Sequence, residues 1–324
     1  MTPLKSLAMA LVAASALGLG VWTAAKWYAA AGPVALESGV LLPSPRPIAG
    51  FTLTDQDGRA FTNAQLQDRW SLLFAGFTHC PDVCPNTLHI MKLLEQRLQT
   101  GNRALNLVFV SVDPERDTPQ LLQTYVRYFS PNLTGATGPA EELDRLCASL
   151  ASGYLKVPGA TPGDYTMDHS TALVLINPQG HIAGYFQAPH KLDSLSSDLA
   201  RIIPPSTSGP MTRVKFPFAA AVLLLSLPAA AAACSGLELA DGWIREAPPG
   251  APVMAAYARL RNTGAAPLTL STLNSPEFGA VELHRTVVED GVSHMLHGQV
   301  LHLPPAAGVA LEPGGWHLML FRPL

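Results

Sequence analysis

SLLFAGFTHCPDVCP, residues Ser71 to Pro85, runs from an unbroken apolar stretch of strand length straight into a loop that carries Cys80 and Cys84. Such continuous runs mark strands covered on both faces of a sheet. LNLVFVSVD, Leu105 to Asp113, is a second run of the same kind, and a helical pattern over Asn86 to Gln99 lies between the two. Further helical patterns cover Thr118 to Phe129, Glu141 to Leu150 and Leu192 to Ile202. FTLTDQDGRAFT reads as a hairpin around Asp57-Gly58, and ALVLINPQGHIAGYF, Ala172 to Phe186, as another turning at Pro178-Gln179-Gly180. The alternation predicts an α/β layer fold with helices on both sheet faces.

The loop decides the chemistry. Phe77 ends a buried strand and Pro85 opens a helix, so both cysteines sit near a helix N-terminus, where unpaired N–H groups and the helix dipole favour thiolate. Thiolate attacks disulfides and also binds metals. Three residues separate Cys80 from Cys84, one more than in C-x-x-C, which moves the balance away from a thioredoxin-type exchanger. A structural disulfide is the plain alternative in an oxidising compartment. Two thiolates with one imidazole make a trigonal set suited to soft copper. The candidate imidazole is His169, in YTMDHS beside Asp168, with His79, His89, His181 and His190 as competitors; a lone histidine at a loop–strand junction is ordinarily a hydrogen-bonded surface residue, and spacing alone does not make it a ligand. Cys147 lies on the apolar face of its helix with Leu143, Leu146 and Leu150 and reads as a core cysteine.

From Leu237 the texture changes to short alternating runs (AYARLRNTG, PLTLSTLNS, AVELHRTV, VALEPGG, WHLMLF) punctuated by Gly, Pro and Asn, which predicts an all-β unit. His317 and Met319 stand two apart on one strand face; His284 closes AVELH and Met295 sits in VSHML. A strand methionine is ordinarily core. Thioether with imidazole is nevertheless a ligand set that selects Cu(I). His294, His297 and His302 read as solvated loop residues.

The chain has 324 residues, 14% of them charged, a net charge of −3 and a mean hydropathy of +0.20. With no basic run to grip phosphates, nucleic acid is not an expected partner. The excess apolarity lies in two runs. Ser6 to Ala25 is uncharged and long enough to span a hydrocarbon core of about 30 Å. Lys5 precedes it and Trp22, Trp27 and Tyr28 mark the far interface, so an uncleaved anchor is expected, with everything after it exported. Met211 to Gly236 has Arg213 and Lys215, an apolar centre and Ala231-x-Ala233, the layout of an export signal cleaved near Ala233; a second membrane crossing, or lipid attachment at Cys234, are the alternatives. Pro-rich LLPSPRP and IIPPSTSGP read as linkers.

Residues 47–203 resemble the Sco/SenC family of cytochrome oxidase copper-assembly proteins, through GFTLTDQDGR, FTHCPDVCP, VSVDPERDTP and YTMDHS in that order. The resemblance implies a thioredoxin-like fold, a membrane anchor, and copper held by Cys80, Cys84 and His169. Asp113 matches a recurrent family position without an evident ligand role. From Leu237 onward the spacing H-x10-M-x21-H-x-M, with REAPPGAPVMAAYARLRNTG and LEPGGWHLML, is similar to the periplasmic PCuAC copper chaperones. That resemblance implies a Greek-key, cupredoxin-like barrel binding Cu(I) through His284, Met295, His317 and Met319. Only LFRPL follows the H-x-M, where the resembled family continues into further strand sequence.

The expected organisation is a membrane anchor over 1–31, an α/β domain over 32–205, a linker with the second apolar run over 206–236, and a β domain over 237–324. The expected function is a copper carrier rather than an enzyme, at the bacterial inner membrane with both domains periplasmic. Its partners are expected to be the copper-bearing subunit of cytochrome c oxidase and its own second site. Thiolates are charged and softer than thioethers, so Cu(I) is expected to run from the second site to the first. The rival reading is a thiol-disulfide oxidoreductase using Cys80 and Cys84. Zinc suits Cys and His but is poorly served by two methionines.

Overall fold

The structure is a computed structural model that describes residues 15–23, 36–158, 165–205, 236–248, 251 and 253–323. The chain divides into two units, Met1–Leu36 and Glu37–Leu324. In the first, residues 15–23 form helix α1. Among the described residues no helix is long and apolar enough to cross a membrane. The spanning helix expected over Ser6 to Ala25 is therefore not supported; the rest of that run, and all of 211–233, lie outside the described residues.

In the second unit the expected strand–loop–helix–strand forms β4 (Ser71–Gly76), α2 (Val83–Thr100) and β5 (Asn106–Ser111). All six residues of β4 are buried. Leu72, Leu73 and Phe74 have no exposed surface, and burial of such side chains is worth roughly 1.5–3 kcal/mol each. Helix α3 (Pro119–Phe129) starts where Thr118 accepts the Leu121 N–H and proline occupies the first turn. Strand β6 (Leu133–Thr137) and helix α4 (Ala140–Ser149) follow, then β9 (Leu173–Ile176), β10 (His181–Phe186) and α5 (Leu192–Ile202). Strands β4, β5 and β6 are parallel, while β9 runs antiparallel to both β4 and β10. A βαβ unit joined to a ββα unit in one sheet is the thioredoxin-like arrangement.

One segment departs from expectation, and another pairs outside the first sheet. LLPSPRP is not a linker: it lies in β1 (Gly39–Pro47), an edge strand on β10. Its pairing shifts register between Leu41 and Arg46, around Pro43 and Pro45, and an edge strand tolerates the missing donors. YTMDHS forms β8 (Tyr165–Ser170), which pairs with β7 (Tyr154–Pro158) rather than joining the thioredoxin-like sheet. The remaining strands of the first sheet, β2 (Thr52–Asp55) and β3 (Ala60–Thr62), make the expected first hairpin.

The C-terminal half is all-β. Its strands are β11 (Leu237–Ile244), β12 (Val253–Asn262), β13 (Leu268–Leu270), β14 (Phe278–Glu289), β15 (Val292–Leu296), β16 (Leu301–Leu303), β17 (Gly308–Leu311) and β18 (Trp316–Pro323). Its core gathers Leu260, Leu283, Leu301, Leu303 and Leu311, apart from the α/β core around Leu73, Val108, Leu146 and Ile176. The larger sheet runs β11-β12-β17-β18-β14-β15-β8-β7, so its last two strands come from the α/β half. The joint is antiparallel, with Val292 opposite Ser170 and Ser293 opposite His169.

Candidate metal centre

Cys80 lies on the loop after β4, Cys84 in the first turn of α2 and His169 on β8. One ligand atom from each gathers within 4.8 Å of the other two. All three are buried, with 6%, 0% and 2% of their surface exposed. Helix α2 begins at Val83, so Pro85 sits inside the first turn, where no backbone donor is needed. The Cys84 N–H donates to Cys80 Sγ at 3.4 Å. His169 Nδ1 lies 2.9 Å from the Ser170 carbonyl; donation there leaves Nε2 bare, 3.4 Å from Cys84 Sγ. Phe74 and Phe77 set their rings edge-on to the imidazole, each with centroids 5.8 Å away, and fix its plane. Gly76 makes room: a Cβ there would stand 2.6 Å from Cys84 Sγ.

The two thiols are unequal and unbridged. Burial raises the Cys80 thiol, but the hydrogen bond from Cys84 and, with a proton on Nε2 as well, the hydrogen bond and charge of His169 outweigh it, leaving Cys80 well below the usual range. Burial, and then the bond and charge of Cys80, push Cys84 well above it. The pair therefore favours one thiolate, at Cys80, and releases its second proton to solvent only when a soft cation takes its place on the sulfur.

The competing histidines are engaged or remote. His190 Nε2 donates to the Thr171 carbonyl at 2.8 Å, and His89 is exposed on α2. His181 begins β10, opposite Pro47 on the sheet edge. His79 forms a second potential cluster with Asp113 and Asp117. There the Asp117 carboxylate already accepts the Thr78 N–H, the Thr78 hydroxyl and the Ser111 hydroxyl. Asp113 accepts the Tyr165 hydroxyl at 2.7 Å and pairs with Arg116, which donates to the Tyr165 carbonyl. The carboxylate that sequence reasoning left without a role thus anchors the start of β8, the strand that presents His169. Cys147 is core as expected; burial pushes its thiol up to about 12.

The second predicted set falls on three neighbouring strands. On β14 and β18, Glu282 lies opposite Met319 and His284 opposite His317; on β14 and β15, Thr286 lies opposite Met295. Residues 282, 284 and 286 share one face of β14, so their partners do too. His284 and His317 are fully buried with ring centroids 6.1 Å apart, Met319 is buried, and Met295 Sδ lies 3.8 Å from the Thr286 hydroxyl. His284 Nε2 faces the Glu282 carboxylate at 2.8 Å and His317 Nδ1 the Gly315 carbonyl at 3.0 Å. Each ring keeps its other nitrogen bare. Burial, with the nearby His297 and His317, holds His284 down at about 4 despite its bond to the Glu282 carboxylate.

Sequence reasoning missed what joins the sets. Asp82, between the two cysteines, is fully buried and does not cap its own helix. Its carboxylate accepts the Tyr257 hydroxyl, the Thr286 hydroxyl and the Gly314 N–H, each at 2.9 Å, and lies 3.9 Å from His317 Nδ1. His294 and His297 are also not solvated loop residues: His294 is on β15 and pairs with Asp168 at 2.8 Å, and His297 is half-buried with its ring against His284. A carboxylate inside a cysteine motif looks like an N-cap, and only the tertiary fold shows it facing the other half.

Fold and site together define a thioredoxin-like protein whose strand-to-helix loop presents a Cys-x3-Cys/His set in place of a C-x-x-C exchanger. The SCO1/SenC family model matches residues 43–204, and the chain belongs to that family. Residues 237–323 match the family described as putative lipoprotein LpqE-like, over the stretch that resembles the PCuAC chaperones. A putative copper-binding protein of Stutzerimonas stutzeri is 44% identical over 166 residues, 51% of this chain and 80% of that one. The human mitochondrial SCO1 homologue is 35% identical over 159 residues, 48% of this chain; the chain spans only 53% of that relative's length. The crystal structure of Arabidopsis thaliana ScoI with copper bound is 34% identical, covering 48% of this chain and 96% of that one, with a TM-score of 0.46.

Proposed function

We propose that this protein is a copper carrier that binds copper at Cys80, Cys84 and His169 and delivers it to the copper-bearing subunit of cytochrome c oxidase. The observation that carries the reading is the convergence of two thiol sulfurs and a bare imidazole nitrogen within 4.8 Å in a buried pocket. That donor set suits soft copper, and relatives of the family carry copper-binding names. We take the β half as a cupredoxin-like second copper module using His284, Met295, His317 and Met319. We further take the chain as anchored through its first apolar run at the inner membrane with both halves exported.

The two modules form a relay in this reading, with Cu(I) passing from the neutral donors of the β half to the thiolates. The contacts of Asp82 with Thr286 and the pairing of Ser293 with His169 support it, because they bring the ligand-bearing strands together. The test uses the full chain. Wild type should bind copper at two sites, and His169→Ala should keep only the second. Unchanged copper content and affinity in His169→Ala would overturn the ligand assignment.

The unequal thiols favour a second reading, a dithiol reductant of the oxidase subunit's cysteines. Cys80 thiolate would attack the target disulfide, Cys84 would resolve the mixed disulfide, and a dithiol donor would reset the pair. Metal-free, repeated turnover of a disulfide substrate supports the reductase; one copper delivered per loading without thiol turnover supports the carrier.

A further inference from the structure

We propose that His297 is a third imidazole ligand of the second site, and that His284, His297 and His317 together let the β half hold Cu(II) as well as Cu(I). The proposal rests on the reading of the β half as a copper module. Among the described residues of the β half, three buried ring nitrogens lack a hydrogen-bond partner, His284 Nδ1, His297 Nε2 and His317 Nε2; His190 Nδ1, in the α/β half, is a fourth that stands alone. A buried, unpaired imidazole nitrogen is costly, and three on adjoining rings ask for a common partner.

Two of the three ring pairs lie near the spacing a shared ion needs. The His284 centroid lies 4.7 Å from that of His297 and 6.1 Å from that of His317. Imidazoles sharing a metal at about 2 Å in tetrahedral or trigonal geometry have centroids about 5 Å apart, between those two values. The opposite nitrogens of His284 and His317 are turned away by Glu282 and the Gly315 carbonyl, the orientation that ligating imidazoles need. The nitrogens are gathered less tightly than the donors of the cysteine site. His297 is half-buried and lies just beyond the end of β15, outside the strand ladder.

The third imidazole changes what the site accepts. Two thioethers with two imidazoles select Cu(I), whereas nitrogen donors suit Cu(II). With Met295 and Met319 on the same face, the site offers three nitrogens to the oxidised ion and two sulfurs to the reduced one.

The experiment uses the full chain with Cys80→Ser and Cys84→Ser, which silences the first site, and titrates it with Cu(II) and, under reducing anaerobic conditions, Cu(I). One Cu(II) should bind with electron paramagnetic resonance couplings from three imidazole nitrogens. His297→Gln in the same background should weaken Cu(II) by tenfold or more while changing Cu(I) by less than threefold. Couplings from only two nitrogens, read with His297 in place, would overturn the proposal whether or not the variant folds. So would equal Cu(II) affinity in a folded His297→Gln. Cu(I) binding without Cu(II) binding overturns the proposal but leaves the copper-module reading standing, and failure to bind either ion sinks both.

Discussion

The Asp82 carboxylate accepts the Thr286 hydroxyl at 2.9 Å, so a residue between the two cysteines is held by a strand that also bears His284. The same carboxylate satisfies Tyr257 and Gly314, and burial with Asp82 nearby pushes the Tyr257 hydroxyl far above its usual range. Asp82→Ala strands two buried hydroxyls and a backbone N–H. It should destabilise the full chain by about 2–4 kcal/mol in urea unfolding and speed amide exchange at Gly314. Unchanged exchange at Gly314 would show that the contact does not hold the halves together.

Gly76→Ala should displace the Cys84 thiol, because the added methyl would stand 2.6 Å from its sulfur and 3.0 Å from the Phe109 ring. We expect copper affinity at the first site to fall by tenfold or more in chelator competition, with the second site unaffected. An unaltered first site would mean that β4 shifts to absorb the methyl.

Cys147 should be a bystander. Its thiol, pushed up to about 12 by burial, is inert to alkylation at neutral pH, and Cys147→Ala should leave copper stoichiometry unchanged. The measurable cost is packing, about 1 kcal/mol for the lost sulfur. Copper loss in that variant would bring the third cysteine into the chemistry.

Stability of the metal-free protein should fall on acidification. Burial lowers His190 below the ordinary histidine value despite its bond to the Thr171 carbonyl, so the fold prefers the neutral ring. The unfolded chain then binds the extra proton first, and stability is lost as the pH drops from about 6.5 toward the lowered value. His190→Asn should flatten the slope of unfolding free energy against pH. His284, held at about 4, contributes equally to both proteins. An identical slope in the variant would place the pH dependence elsewhere.

Much of the first site was legible because it is local. The strand, the loop and the first turn of α2 follow one another in Ser71 to Pro85, and the apolar pattern marks each. His169 is 85 positions from Cys84, and spacing alone did not single it out from four other histidines; the family resemblance did. What stayed hidden was long-range. Nothing in YTMDHS says that its strand joins the C-terminal sheet, because strand pairing between distant segments leaves no periodic trace. His297 read as loop because burial of one ring nitrogen depends on a neighbour 13 positions away, and the prolines of β1 masked an edge strand as a linker.

The shared sheet changes what a proteolytic cut would accomplish. Cleavage near Ala233 would sever the covalent link between the halves but not the β8–β15 ladder or the grip on Asp82. The nicked product should therefore persist as a two-chain complex, with β8 still beside β15. Driving the pieces apart would bare β15 as an open edge able to recruit a foreign strand. Peptide-bond scission and physical release are then separate events, and the second must be paid for by whatever covers that edge.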